Sequence, residues 1–259
     1  MTAQKERIRS TIRDRYAGIA RQGTSCCGEA STCCSTGAKG ESKRLGYSAN
    51  ELSAVPKGAN MGLGCGNPQA IAALKKGERV LDLGSGGGFD CFLAARRVGR
   101  SGRVIGVDMT PEMVAKAREN ARKGRYRQVE FRLGEIEHLP VADHSVDVVL
   151  SNCVINLSPD KPQVYREAYR VLRRGGRVAI SDVVALRPLP RKVRTSLEAH
   201  AGCVAGSATV RQMRDMLRAA GFTDLRITVQ PESRLFIKNW FPGSDVEDYV
   251  RSATIEARK

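Results

Sequence analysis

Apolar residues recur along this chain in two rhythms. Between residues 6 and 20 they fall at Ile8, Ile12, Tyr16 and Ile19, which stack on one face of a helix and leave it in need of a partner surface. From residue 80 onward short apolar runs alternate with helical spacing. Residues 80–83, 104–107, 129–133, 146–151 and 178–182 read as strands, and 89–98, 111–123, 161–172 and 210–220 as helices. Apolar runs joined in this way predict an α/β fold, a mainly parallel sheet with helices on both faces. The punctuation agrees. Thr110 caps and Pro111 opens one helix, Gly175-Gly176 ends the helix that turns Tyr165, Ala168 and Leu172 inward, and Gly221 stops the last. Residues 225–229 and 235–238 are expected to complete the sheet as antiparallel strands, with 250–257 a final element. Residues 47–56 read as a short turn or helix, 62–68 as irregular, and 68–74 as the start of a helix. Segment 23–42 is rich in Gly, Ser, Thr and Cys, and without a ligand it should be a mobile loop.

The densest signal is Val80-Leu81-Asp82-Leu83-Gly84-Ser85-Gly86-Gly87-Gly88-Phe89-Asp90. A buried strand runs into four glycines within five positions and then onto a helix N-terminus, the first half of a nucleotide-binding βαβ unit. A dinucleotide fingerprint needs a third glycine where Phe89 stands, so a diphosphate is disfavoured and an adenosyl ligand without phosphates is tolerated. The second strand ends in Asp108, about twenty residues on, where an acid can hold ribose hydroxyls. Asp-x-Gly-x-Gly-x-Gly followed by that acid resembles the S-adenosylmethionine-dependent methyltransferases of the Rossmann-like class. Gly134-Glu135-Ile136-Glu137, at the end of the third strand, could wall and hydrogen-bond an adenine.

Composition narrows the field. With 259 residues the chain can bury one substantial core with appendages. It has neither the roughly 20-residue apolar run that spans a bilayer nor the apolar core of a signal peptide, which points to the cytoplasm. A net charge of +16 raises the question of nucleic acid, but the arginines are scattered and aromatics make up only 5%, so a solvated basic surface is the better reading. Eight cysteines in such a chain point to metal or redox chemistry. Cys26, Cys27, Cys33 and Cys34 could hold a structural zinc or capture and relay a thiophilic species. Cys91 reads as a small buried hydrophobe. Cys65 lies among Gly62, Gly64 and Gly66, Cys153 follows the fourth strand, and Cys203 sits between Gly202 and Gly206. All three map to the carboxyl edge of the sheet, where open α/β sheets bind ligands.

Three thiolates facing a sulfonium methyl donor would trap a soft electrophile, and trivalent arsenic fits such a trap. Bound pyramidally by up to three sulfurs, it keeps a lone pair that can attack the methyl group in line. Catalysis would then rest on orientation and proximity and need no general base. The basic field of the chain is expected to favour thiolates by lowering their pKa.

Several motifs together are similar to the arsenite methyltransferase family. They are Gly64-Cys65-Gly66, Asp82 to Asp90 followed by Cys91, Val107-Asp108-Met109-Thr110, Ser151-Asn152-Cys153-Val154-Ile155-Asn156-Leu157, Pro159-Asp160-Lys161, Gly175-Gly176, Ser181-Asp182-Val183, and Cys203 with Gly206. The likeness covers residues 47–220. It implies a Rossmann-like class I methyltransferase fold, S-adenosylmethionine as cofactor, arsenite or its thiol conjugates as substrate, and glutathione or thioredoxin as reductant. It further implies Cys65, Cys153 and Cys203 as arsenic-binding or redox cysteines. Asp82, Gly84, Gly86, Asp108, Glu135 and Ile136 match cofactor positions, and Ser85, Met109 and Asn152 are counted with them. The expected organisation is a helix and Cys-rich arm over 1–46, a catalytic domain over 47–206, and a segment over 207–259 that completes the sheet. Two other readings stay open: a carbon or oxygen methyltransferase in which Cys153 and Cys203 are bystanders, and a thiol-rich metalloid-binding protein without turnover.

Overall fold

A computed structural model describes residues 3–22, 37–241 and 243–259. Cys26, Cys27, Cys33 and Cys34, with most of the segment expected to be a loop, lie outside the described residues. Among the described residues, four helices precede the sheet: α1 (Ala3–Gln22), α2 (Gly37–Arg44), α3 (Ala49–Ser53) and α4 (Pro68–Ala72). Then come β1 (Arg79–Leu83), α5 (Phe89–Val98), β2 (Arg103–Asp108), α6 (Pro111–Lys123), β3 (Val129–Leu133), β4 (Val146–Asn152), α7 (Lys161–Val171) and β5 (Leu172–Ala185). The chain ends with α8 (Arg191–Arg194), α9 (Leu197–Ala201), β6 (Ala208–Thr209), α10 (Val210–Ala219), β7 (Thr223–Gln230), α11 (Arg234–Ile237) and β8 (Val250–Arg258).

Among the described residues the strands form one sheet in the order β3-β2-β1-β4-β5-β8-β7, with β6 paired to β5. Neighbours from β3 to β5 are parallel, whereas β8 runs antiparallel to both β5 and β7. Alternation along β1 feeds both faces. Leu81 and Leu83 join a core with Tyr165, Leu217 and Ile255, while Val80 joins Phe92, Val114 and Leu150 on the other side. Chain order reverses between β1 and β4, which leaves a crevice beyond their carboxyl ends.

Three expectations are corrected. Residues 37–42 are not loop but belong to α2, where Ala38, Lys39, Glu41 and Lys43 favour a helix and Ser42 Oγ anchors it on Asn60 Oδ1 at 2.9 Å. Gly175-Gly176 does not end a helix, because α7 stops at Val171 and the chain passes straight into β5. Between the pairs Val146–Leu172 and Val148–Arg177, β5 advances five residues while β4 advances two, and the glycines absorb that bulge. Gly175 takes φ +77° and donates its N–H to Lys259 O at 2.9 Å. Residues 235–238 are helical rather than extended: a four-residue spacing sets Phe236 against Trp240, ring centres 5.7 Å apart, and buries Ile237.

Helix α1 finds the partner surface its apolar face requires. Ile12 and Ile19 are buried where it packs on α6 and α9. Arg9 is drawn in as well, only 3% exposed. Its Nη2 donates to Glu137 Oε1 at 3.3 Å, and its Nε lies 3.4 Å from Glu135 Oε2. Lys5 adds a bond to Asp160 at 2.8 Å, and Arg21 pairs with Glu112. No helix among the described residues is long and apolar enough to cross a membrane.

Removing one partner of a buried ion pair strands the other, at a cost of about 3 kcal/mol. Arg9→Ala should therefore lower the melting temperature by roughly 6–12 °C for a chain of this size. It should also speed amide exchange along α1. Unchanged exchange there would show that apolar contacts alone hold the helix.

Candidate active site

The crevice is shaped first by backbone. Beyond β1 the chain turns through Gly84 at φ +65° and Gly86 at φ +50°. A Cβ at Gly84 would lie 2.5 Å from the Val154 side chain, so glycine there lets the loop press against the segment that follows β4. Asp108 holds the loop from the other side. Its Oδ2 accepts the Gly86 N–H and its Oδ1 the Thr110 N–H, each at 2.9 Å. Burial pushes the Asp108 carboxyl above the usual range, and these backbone bonds pull it partly back.

A cavity of about 420 Å³ opens beside the loop. Asp82, Gly84, Ser85, Gly86, Asp108, Met109, Ile136 and Asn152, all expected from the sequence, line it. Glu135 does not. Its carboxylate turns to α1, 3.4 Å from Arg9 Nε and 3.7 Å from Arg13 Nη2, and Glu137 takes its place in the wall. Ile12 and Tyr16 of α1 cover the opening.

Three cysteines expected at this edge do meet there. Cys153 and Cys203 line the cavity, and Cys65 lies beneath them, 1% exposed. Cys153 (φ +58°) and Cys203 (φ +63°) both adopt the left-handed conformation. Cys203 Sγ donates to Cys153 O at 2.8 Å, and the Cys153 N–H donates to Ser181 O at 2.8 Å. Cys65 Sγ reaches Ser181 O at 3.5 Å. Cys91 lies apart, fully buried on α5, where its thiol donates to Asp82 Oδ2 at 3.2 Å.

The thiols are not depressed towards thiolate as the net charge suggested. Burial pushes Cys65 up to about 11. The bond between the thiols of Cys153 and Cys203 favours the charge on Cys153 and opposes it on Cys203, yet the further contact with Cys65 and burial leave Cys153 well above its ordinary value too. Distant surface arginines cannot outweigh local desolvation next to the Asp182 carboxylate.

Sequence reasoning gave no role to four residues of the site, Asp182, Asn156, Tyr47 and Asp90. Asp182 is fully buried on β5, and burial raises its carboxyl to about 6. An acid inside the apolar run 178–184 was the available signal. Asn156 Nδ2 donates to Asp182 Oδ1 at 2.9 Å. Tyr47 OH donates to Asp90 at 2.8 Å, and Asn152 Nδ2 donates to Tyr47 OH at 3.0 Å, across separations in sequence that no local pattern marks.

Residues 74–221 match the methyltransferase domain family. An arsenite methyltransferase of Halobacterium salinarum is 56% identical over 263 residues, covering 98% of this chain and 67% of that protein. The Homo sapiens arsenite methyltransferase is 40% identical over 157 residues, 57% of this chain and 42% of its own length. This chain therefore spans two thirds of the first relative and less than half of the second. The crystal structure of an arsenic(III) S-adenosylmethionine methyltransferase from Chlamydomonas reinhardtii aligns with a TM-score of 0.64 at 35% identity, over 85% of this chain and 73% of that one. The sheet order and the glycine loop are those of an S-adenosylmethionine-dependent class I methyltransferase. With more than half of its residues identical to the Halobacterium protein across nearly its whole length, the chain belongs to the arsenite methyltransferase family.

Proposed function

We propose that this chain transfers methyl groups from S-adenosylmethionine to trivalent arsenic held by Cys65, Cys153 and Cys203. The observation that carries this reading is the meeting of three thiols, far apart in sequence, at the cavity behind the glycine loop. The residues present also fit the methyl donor. The left-handed glycines leave backbone open to an adenosyl group, and the Asp108 carboxylate has acceptor capacity left for ribose hydroxyls. Ile136 and Met109 offer apolar walls, and Asn152 closes the inner end.

S-adenosylmethionine, when bound, supplies an electrophilic methyl group. The chain's own part is to capture and aim the arsenic. Arsenite arrives as the uncharged acid As(OH)₃. Each thiol exchanges with one hydroxyl, the sulfur bonding to arsenic and the thiol proton leaving with the hydroxide as water. Three exchanges convert As(OH)₃ and three thiols into a tris-thiolate and three waters, with no net proton gained or lost. Raised thiol pKa values therefore do not hinder capture. Cys153, fixed by its bond to Ser181, and Cys203, fixed on Cys153, present the arsenic lone pair to the shared cavity. Helix α1 excludes water from above. Methylation raises the formal oxidation state of arsenic by two, and a thiol reductant, glutathione or thioredoxin, returns the electrons. The Cys26–Cys27 and Cys33–Cys34 pairs are candidates for that relay, and a reducing cytoplasm suits it.

Three outcomes test the reading. Cys153→Ser and Cys203→Ser replace soft sulfur by hard oxygen and should each eliminate arsenite methylation while leaving S-adenosylmethionine affinity near normal; Cys91→Ser should stay active. A Cys153→Ser protein that methylates arsenite at the wild-type rate would sink the mechanism. Asp108→Ala removes a charge-assisted bond worth about 1.5–3 kcal/mol, so calorimetry should read a loss of cofactor affinity of roughly tenfold or more. Unchanged binding would take Asp108 out of the site. Arsenite affinity should be flat between about pH 6.5 and 8, because protonated thiols release only water. Ionised thiolates would instead consume protons on exchange, and affinity would fall as pH rises.

A further inference from the structure

Asp182 stands behind the thiols without a part in capturing arsenic, since a pyramidal trivalent centre is satisfied by three sulfurs. One carboxylate oxygen of Asp182, Cys65 Sγ and Cys153 Sγ nevertheless lie within 4.8 Å of one another. We propose that Cys65, Cys153 and Asp182, with Cys203 as fourth donor, form a binding site for a thiophilic divalent cation such as zinc or cadmium, which excludes arsenite by occupying its thiols. This holds whether or not arsenic is the substrate.

The donor set favours such an ion. Zinc takes four ligands tetrahedrally from thiolates, imidazoles and carboxylates, so thiolates completed by one carboxylate meet its preference. Sulfurs on one zinc stand about 3.8 Å apart, given bonds of about 2.3 Å, so Cys65, Cys153 and Asp182 close on an ion with shifts of about 1 Å, and Cys203, whose Sγ lies 2.8 Å from Cys153 O, swings in as the fourth donor. Its supports are already built. Asp182 Oδ1 accepts from Asn156 Nδ2 at 2.9 Å and Val183 N at 2.7 Å, and Oδ2 accepts from Asn156 N at 3.3 Å. These bonds orient the carboxylate and leave lone pairs for a metal. The Cys65 loop is pinned through its N–H to Asn152 Oδ1 at 3.1 Å and its carbonyl to Ser252 Oγ. Access runs past Cys153 and Cys203, which face the cavity. Cation binding sends the thiol protons to solvent, and the two thiolates and one carboxylate of the inner cluster more than balance the dication.

Arsenic and a divalent d¹⁰ ion thus use the same sulfurs but differ in their need for Asp182. The test uses the full chain with Cys26, Cys27, Cys33 and Cys34 changed to Ser, so that the arm contributes no signal. Cadmium is titrated and followed by the ultraviolet charge-transfer band of cadmium thiolate. One cadmium per chain is expected, with binding lost in Cys153→Ser. Asp182→Asn should weaken cadmium at least tenfold while arsenite affinity stays within about twofold. Equal cadmium affinity in Asp182→Asn, or no binding by the parent, overturns the proposal. Should Asp182→Asn fail to fold, X-ray absorption of the parent loaded with zinc decides. A carboxylate oxygen at about 2.0 Å beside sulfurs at about 2.3 Å supports the site, and an all-sulfur shell overturns it.

Discussion

The side-chain amide of Asn152 is the bond set on which the rest of the site depends. It stands at the last residue of β4, where the sheet gives way to the crevice. Its Oδ1 accepts the Cys65 N–H, while Nδ2 is shared among Gly66 O and Tyr47 OH, both at 3.0 Å, and Asp90 Oδ2 at 3.3 Å. One planar group thereby ties the thiol loop, the segment before α3 and the first turn of α5 to the end of a central strand. Neither oxygen nor nitrogen is interchangeable here, because the loop presents a donor on one side and acceptors on the other. A side chain at Gly64 would press on the same amide, its Cβ 3.0 Å from both terminal atoms of Asn152. The Asn152 amide fixes the Cys65 loop against the end of β4 beside the cavity.

Charge is distributed against expectation. The surface carries the arginines behind the net charge of +16, but the interior of the site is acidic, with Asp82, Asp90, Asp108 and Asp182 all buried. Burial raises each of them, and Asp182 in turn discourages thiolates at Cys65, Cys153 and Cys203. For the capture proposed above, in which a neutral acid exchanges hydroxyl for sulfur, protonated thiols serve as well as thiolates. Long-range attraction would add nothing for an uncharged substrate.

Much of this was legible in the sequence because its signals are local. The glycine loop, α6 opened by Pro111 and the strands from β1 to β4 follow from periodicity and from residues within a few positions of each other, although the Thr110 side chain makes no cap bond. The meeting of Cys153 and Cys203 was legible for a different reason, since parallel topology sends loops that follow strands to one edge, whereas Cys65 precedes β1 and was placed by its glycine-rich loop and the family resemblance. What escaped depends on partners far away. Arg9 and Glu137 are 128 residues apart, and Tyr47 and Asn152 are 105 apart. Four residues around Leu235 fit a strand or a helix equally well until Trp240 stacks on Phe236. The thiol pKa values were misjudged because net charge says nothing about desolvation.

The left-handed backbone at Cys153 and Cys203 has a consequence for how such a site can change. Each costs on the order of 1 kcal/mol relative to a glycine at the same angles, as only residues lacking a Cβ sit there freely. A glycine would release that strain but would also give up the packing of the thiol and add freedom to the unfolded chain, so the effects offset. Stability thus gives no reason of its own to keep cysteine at either place, and in a laboratory library screened only for stability these are positions to guard.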